Sequence, residues 1–487
     1  MFGSVYPALE ELKQPLSEQQ LNVLRNQLKA EEPKPSPQTQ FNYAWGLIKS
    51  PTRKHQQEAV VILTKLYKTE PSMRREVLYY LSLGSFKLGD YTNAKRYVET
   101  LLKSEPENQQ ALGLLENIED KVTQEGLIGI GVAGGVLAVG IGIVGALFNE
   151  LTVKSGKPEI RSNGIEEWTV LSSVVAITRD EIIPITLSTG VKVLPDRVRN
   201  YPDGRIVHDM HAEILSLRLF NYFLLEEASK KQSKWVNRIQ NKYKFRDDVK
   251  LALFVSEPPC GDVSMNYLSS SLISSEAWEV SSSNNGFHRG RNNFDQLGVV
   301  RTKPGRTDSL ISYSKSCSDK ICLKQLTGIC NASSAHIFDP IYLDYLVVNK
   351  VDSIDFNRCF RDRFQLGRDV HYLQLLTHDD DAYKFHKSDE KEPSPLSLLY
   401  IVPYNFHQVL NNGVKNGAFI KNKAPRRGGE SIICNKSIMN KLCQVCQITQ
   451  PSYSLFKMAN TERQTLKSKG QVSLQNWRHT SIDDFNL

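Results

Sequence analysis

The chain has 487 residues, room for two to four domains, and its 40% hydrophobic and 23% charged content is that of a globular protein rather than a disordered or fibrous one. The net charge of +8 is uneven: residues 1–125 hold 16 basic and 16 acidic side chains, so the whole excess lies beyond them. All eight cysteines also lie in the second half and no secretory signal opens the chain, which argues against a disulfide framework and for a reducing compartment.

In chain order, Leu9, Leu12, Leu16, Leu21, Leu24 and Leu28 give the opening arm an amphipathic spacing, and Pro33, Pro35 and Pro37 form a joint after it. The sequence then echoes itself at an offset of 35 residues. Ala59, Leu63, Leu66 and Pro71 are matched by Ala94, Val98, Leu101 and Pro106. Small residues where helices cross, bulky ones beside them and a proline after the second helix make a tetratricopeptide-like pattern over 1–125. Such repeats build a concave peptide-binding face; the plainer reading is a helical bundle with a chance echo.

Residues 126–148 carry no charge, and Gly131 and Gly135 have the spacing of a close-packing helix face. The length is that of a transmembrane helix, about 20 residues, and the glycine content disfavours a soluble core helix. A buried hairpin is the alternative. With Val132-Ala133-Gly134-Gly135-Val136-Leu137-Ala138 inside the apolar run, residues 1–148 resemble the mitochondrial fission 1 family. The resemblance implies a tail anchor in the mitochondrial outer membrane, and the peroxisomal membrane, with adaptors of a dynamin-like GTPase as partners. Family members end soon after the anchor, whereas this chain continues.

Residues 149–487 read as an α/β unit. Strands are expected over Trp168–Ile177, Ile182–Leu187 and Leu251–Ser256, with a turn at Tyr201-Pro202-Asp203-Gly204. Asp209 is the expected N-cap of a helix that bears His211 and Glu213 and continues with an apolar stripe through Leu215, Leu219 and Phe223. Cys260 follows Pro258-Pro259 at the expected start of another helix, where unpaired amides favour the thiolate. An imidazole, thiolates and an intervening carboxylate are the chemistry of a catalytic zinc site with an open position. Cytidine deaminases place a further cysteine three residues on, where this chain has Val263.

The run Val299 to Asp308, then Ser316-Cys317-Ser318-Asp319-Lys320 and Gly328 to Tyr342, is similar to the tRNA-specific branch of the adenosine-to-inosine RNA-editing family. That resemblance covers about 155–487. It implies an α-β-α zinc deaminase fold, with His211, Cys260 and Cys317 as metal ligands and Glu213 as the catalytic acid/base. The implied reaction is hydrolysis of the C6 amine of adenosine at position 37 of alanine tRNA. Relatives also hold inositol hexakisphosphate, and the matching positions are Arg218, Lys320, Tyr453, Lys457, Lys467 and Trp477. Leu217 and Leu323-Lys324 depart from the double-stranded-RNA editors. Asp319 is either an outer partner of the metal site or a structural ion pair. Ser281 to Arg291 is a candidate substrate loop or a linker, and Cys443-x-x-Cys446 reads as ordinary thiols for want of a partner motif.

The expected whole is multidomain: an all-α tetratricopeptide-like bundle, one transmembrane helix, then the zinc deaminase, which lacks the opening helix of its relatives. An inserted anchor would place the chain at the mitochondrial outer or peroxisomal membrane, and a separate deaminase in the cytoplasm or nucleus. The alternative function is a membrane-anchored fission adaptor whose C-terminal unit is passive, or joined to it only by an error of gene prediction.

Overall fold

A computed structural model describes residues 15–124, 144–270, 288–290, 296–303 and 309–487, apart from positions 89, 146, 150, 152–155, 180, 201, 365, 367–369, 378–382, 389 and 482. The chain divides into two compact units, Met1–Val136 and Leu137–Leu487.

The first unit contains helices α1 (Glu18–Ala30), α2 (Pro37–Lys49), α3 (Arg53–Thr69), α4 (Arg74–Lys87), α5 (Tyr91–Ser104) and α6 (Gln109–Gln124), each packed on the next. Ser17 starts α1 through a reciprocal capping box with Gln20, and Ser36 caps α2 ahead of Pro37. The echo has a packing cause. Ala59, Leu63 and Leu66 on α3 and Ala94, Val98 and Leu101 on α5 are all buried, so the same apolar stripe is used once per helix pair. Gly46 in α2 leaves room for Leu24 of α1, and Leu21 is buried beside it, so the arm closes one end of the stack.

The second unit is built on an eight-stranded sheet in the order β5-β4-β3-β1-β2-β6-β7-β8. The strands are β1 (Leu171–Ile177), β2 (Ile182–Thr189), β3 (Lys250–Val255), β4 (Tyr345–Val347), β5 (Gln374–Leu376), β6 (Leu396–Ile401), β7 (Phe406–Asn411) and β8 (Val414–Lys415). The three at one edge, β3 to β5, run parallel; the remaining neighbours are antiparallel. Every residue of β1 is buried, as a central strand covered on both faces requires. Helix α7 (Ala212–Ala228) packs against β1 and β2 with Leu215, Leu219, Phe220 and Phe223 in the core. Helix α8 (Cys317–Thr327) packs against α11 (Thr461–Ser473), and Gly470 brings the two close because a Cβ there would meet Leu323. Between α7 and α11 in sequence come also α9 (Asn435–Cys443) and α10 (Tyr453–Ala459).

The expected transmembrane helix is corrected. No helix among the described residues is long and apolar enough to cross a membrane. Residues 126–143 of the expected span lie outside the described residues. Its last turn belongs to the second unit: Val144 and Phe148 are fully buried, and the Phe148 ring lies 5.6 Å from Tyr383 and 5.8 Å from Phe385. Lys157 donates to the Asn149 carbonyl at 2.8 Å and sits over the Phe148 ring. An apolar run reads alike in hydropathy whether lipid or a protein core receives it, and here its end is received by aromatic side chains.

Candidate metal centre and catalytic cavity

Three chain segments meet at the ends of sheet elements. The first is Asp209–His211, a short strand paired with Val191–Val193 that leads straight into α7. His211, not the expected Asp209, occupies the N-cap position. Glu213 then falls in the first turn of α7 and is buried. The second segment leaves β3 through Ser256 to Cys260. Cys260 stands just ahead of a helical start, as expected: Gly261 at φ +110° is the N-cap of a 3-10 helix over Asp262–Ser264 that runs directly into the next short helix. A Cβ on Gly261 would collide with the hydroxyls of Ser316 and Ser318, so glycine alone lets this loop press on the start of α8. The third segment is that start. Ser316 caps α8, Cys317 is its first residue, and the Ser318 amide and hydroxyl donate to the Cys260 carbonyl at 3.1 and 2.9 Å.

The convergence is close. The Cys260 sulfur lies 3.6 Å from His211 Nδ1, and the Cys317 amide donates to that sulfur at 3.4 Å. The donor atoms of His211, Cys260 and Cys317 all lie within 4.8 Å of one another. Bonds of about 2.0 Å to nitrogen and about 2.3 Å to sulfur place donors around tetrahedral zinc roughly 3.5–4 Å apart, so the set fits that ion. A hydrogen bond from Cys317, aided by Lys303 and His211, holds the Cys260 thiol well below its usual range despite burial. Burial does the reverse at Cys317 and raises its thiol. Burial likewise raises Glu213, with the Cys260 sulfur adding to the effect.

Behind the donors runs a chain of charge. Lys303 Nζ donates to Cys317 Sγ at 3.0 Å and to both oxygens of Asp209 at 2.9 Å, and all three groups are buried. Lys320 reaches the other side of Asp209 and donates to Ser314 at 2.7 Å. Burial alone would raise the Asp209 pKa, but Lys303 and Lys320 outweigh it and hold the carboxylate well below its usual range. Asp319 is fully buried and structural in its contacts: it accepts from the Arg301 amide at 2.9 Å and the Ser316 hydroxyl, and pairs with Arg363 at 2.7 Å.

In front of the donors lies a cavity of about 580 Å³ whose floor includes His211, Glu213 and Cys260 and whose walls include Trp168, Lys192, Tyr267 and Lys387. Lys320, which pairs with Asp209, lines a second cavity, of about 430 Å³. Of the six positions expected around an inositol phosphate, Lys320, Tyr453, Lys457, Lys467 and Trp477 line it. Arg218 does not; its guanidinium donates to the Ile433 carbonyl and to Asn435, and Asn435 lines the cavity in its place. Arg199 and Lys315 also line it, and neither stood out in the sequence. Burial, reinforced by neighbouring cations, pushes Lys467 and Lys315 each down to about 8. Most of the candidate loop Ser281–Arg291 lies outside the described residues; His288 and Arg289 pair with Arg301 and Thr302 beside the cavity.

The Lys303–Asp209 ion pair has no local signal in the sequence. Its two partners lie 94 residues apart in the chain.

The family model for the adenosine-deaminase (editase) domain matches residues 186–480. Those for the N-terminal and C-terminal tetratricopeptide repeats of Fis1 match residues 38–70 and 75–127. The mitochondrial fission 1 protein of Candida albicans is 72% identical over 144 residues, 30% of this chain and 94% of that protein. The tRNA-specific adenosine deaminase 1 of Schizosaccharomyces pombe is 35% identical over 367 residues, 69% of this chain and 93% of that protein. The Saccharomyces cerevisiae protein of the same name is 34% identical over 301 residues, 56% of this chain and 74% of that protein. A crystal structure of yeast Fis1 with an Mdv1 fragment is 46% identical, covering 26% of this chain and 100% of that one, at a TM-score of 0.24. Two families therefore meet in one polypeptide: the chain belongs to the Fis1 family through its first unit and to the adenosine-deaminase (editase) family through its second, and is a fusion of the two.

Proposed function

We propose that the second unit deaminates adenosine to inosine in tRNA, at position 37 of alanine tRNA, with zinc held by His211, Cys260 and Cys317. The observation that carries this reading is the meeting of those three donors beside a buried carboxylate at the floor of an open cavity. Bound zinc supplies an acidified water as the nucleophile toward C6 of adenine. Glu213 serves as the proton carrier, and burial, by raising its pKa above the usual carboxylate value, favours its holding a proton between deliveries. It takes one proton from the attacking water and delivers it to the ring nitrogen, then takes the second from the new C6 hydroxyl and delivers it to the amine as the C6–N bond breaks, leaving inosine and ammonia. Trp168 and Tyr267 offer rings to the nucleotide, and Lys192 and Lys387 offer cations to its phosphate.

Glu213→Gln removes the proton carrier while keeping the side chain's size. Inosine formation by the full chain should fall by about 10²–10⁴-fold with zinc content unchanged. Full activity in that variant would refute the reading.

The second cavity fits inositol hexakisphosphate. Arg199, Lys315, Lys320, Lys457 and Lys467 line it with one carboxylate among the lining residues, Asp483; Arg199 also pairs with Asp196 and Lys320 with Asp209, and the nearby Arg463 Nε is buried without a hydrogen-bond partner among the described residues. Cations so placed repel one another until a polyanion arrives. Its contact with Lys320 would fix Asp209 and Lys303, and so the Cys317 sulfur.

For the first unit, identity with fission 1 proteins supports docking of adaptors of the dynamin-like GTPase on the helical repeats. Rescue of organelle division by residues 1–125 fused to an unrelated anchor, in cells lacking their own fission 1 protein, tests it; no rescue counts against it.

A further inference from the structure

Beyond β8 the chain makes a long excursion before α9, and its residues 416–429 include Lys421, Lys423, Arg426 and Arg427 but no acidic side chain. All four cations are exposed, and among the described residues none of them makes an ion pair. Exposed lysines on a slack loop would mean little. This loop is not slack. The Lys415 amide donates to the Gly429 carbonyl at 2.9 Å and closes its base; the Ala418 amide donates to Lys415 at 3.0 Å, Arg426 to Ala418 at 3.1 Å, and Gly429 to Arg426 at 2.8 Å. Ala418 and Pro425 are buried under it, and Gly429 packs so tightly on Ala418 that a Cβ would not fit.

The platform is also tied to the catalytic strand. In the turn between β7 and β8, the Gly413 amide donates to the Met210 sulfur at 3.0 Å, and the Val207 amide donates to the Gly413 carbonyl at 2.9 Å. Met210 immediately precedes His211. The base of the basic loop is therefore pinned to the segment that carries a metal donor, while its cations remain in solvent.

We propose that Lys421, Lys423, Arg426 and Arg427 form a docking platform for the phosphodiester backbone of tRNA, outside the loop that enters the catalytic cavity. The proposal rests on the tRNA reading given above. Four like charges within seven residues, with the nearest carboxylate in sequence, Glu430, half-buried and in no ion pair with them among the described residues, form a local positive field that a polyanion satisfies. A nucleic-acid backbone is favoured over a lipid surface because the platform is all charge: its large apolar residues, Phe419 and Ile420, are partly buried rather than presented. A deaminase that takes one base into its pocket gains little orientation from that base alone, and backbone contacts supply position without reading sequence.

The test is the full chain carrying Lys421→Ser, Lys423→Ser, Arg426→Ser and Arg427→Ser together, assayed on an alanine tRNA transcript and on its isolated anticodon stem-loop. KM for the whole tRNA should rise at least tenfold at physiological salt, with kcat unchanged. The slope of log KM against log salt should flatten by about 3, since each phosphate contact contributes roughly 0.7–0.9. The stem-loop, which lacks the distant backbone, should lose much less. A partner variant with Lys421→Arg and Lys423→Arg keeps the charge and should keep the wild-type slope. An unchanged KM and slope in the serine variant would overturn the proposal, as would an equal loss of kcat on both substrates. Loss of binding to phosphatidylserine vesicles, with the tRNA slope intact, would assign the platform to a membrane surface instead. If the wild-type chain forms no inosine at all, the deaminase reading fails; filter binding of the same transcript still decides the platform.

Discussion

Asp209 shows how much of this site depends on single charges placed across the fold. Its carboxylate is buried between Lys303 and Lys320, and Lys303 in turn contacts the Cys317 sulfur. Asp209→Asn leaves the Lys303 ammonium buried without its counter-charge, and loss of one partner of such a pair costs about 3–5 kcal/mol. Chemical denaturation of the second unit at pH 7 should show that loss, together with weaker zinc retention; a variant as stable as wild type would remove the network from the account. In the sequence Asp209 looked like a helix cap, because an aspartate ahead of an amphipathic run usually is one. Nothing local distinguishes a cap from a buried ion pair with partners 94 and 111 residues away. The clustering of His211, Cys260 and Cys317 was legible for the opposite reason: metal-binding chemistry demands rare residue types, and each lies close to the boundary of a recognisable element. The second cavity yields a pH test. Burial puts Lys467 and Lys315 near 8, below the roughly 10.4 of an unfolded lysine. Their depressed values mean that charge is disfavoured on folding. The penalty is full below about pH 8, fades as pH rises, and is gone above about 10.4. Thermal melting without a polyanion should therefore show stability rising between pH 8 and 10, and Lys467→Met should flatten that rise. Inositol hexakisphosphate should stabilise the unit more at pH 7 than at pH 10; equal stabilisation at both would contradict the cavity's role.

At the scale of elements, the most instructive segment is the end of the apolar run. Residues 126–148 satisfy the length and hydropathy of a membrane span, yet Val144 and Phe148 are buried in the deaminase unit beside Tyr383 and Phe385. Hydropathy measures what leaves water, not what receives it, so the partner of an apolar run is invisible in the run itself. Phe148→Ala should destabilise the second unit by about 3–5 kcal/mol, the usual cost of emptying a packed phenylalanine site. Differential scanning calorimetry resolves this, since the transition of the first unit should stay fixed. An unmoved second transition would show that the packing of Phe148 is incidental. The repeat in the first unit was readable because one packing problem is solved twice with the same residue types, Ala59 with Ala94 and Leu63 with Val98. The sheet was readable as strands but not as an order: β1 lies next to β3 because of pairings such as Val174 with Leu253, which no local pattern announces.

At the scale of the whole molecule, two units with unrelated chemistry share one chain, and each spans nearly the full length of a separate relative. A chain made as one polypeptide should give a single band near 55 kDa with antibodies to either half. Two smaller bands, each seen by one antibody only, would mean that the halves act as separate proteins. Everything catalytic rests on the meeting of one imidazole and two sulfurs drawn from three distant segments. Metal analysis of the purified full chain, read alongside inosine formation, tests that meeting most directly. The account predicts equimolar zinc in the wild type, with zinc and activity lost together in Cys317→Ala. A chain that forms inosine while holding no zinc, or a Cys317→Ala variant that keeps both, would contradict it.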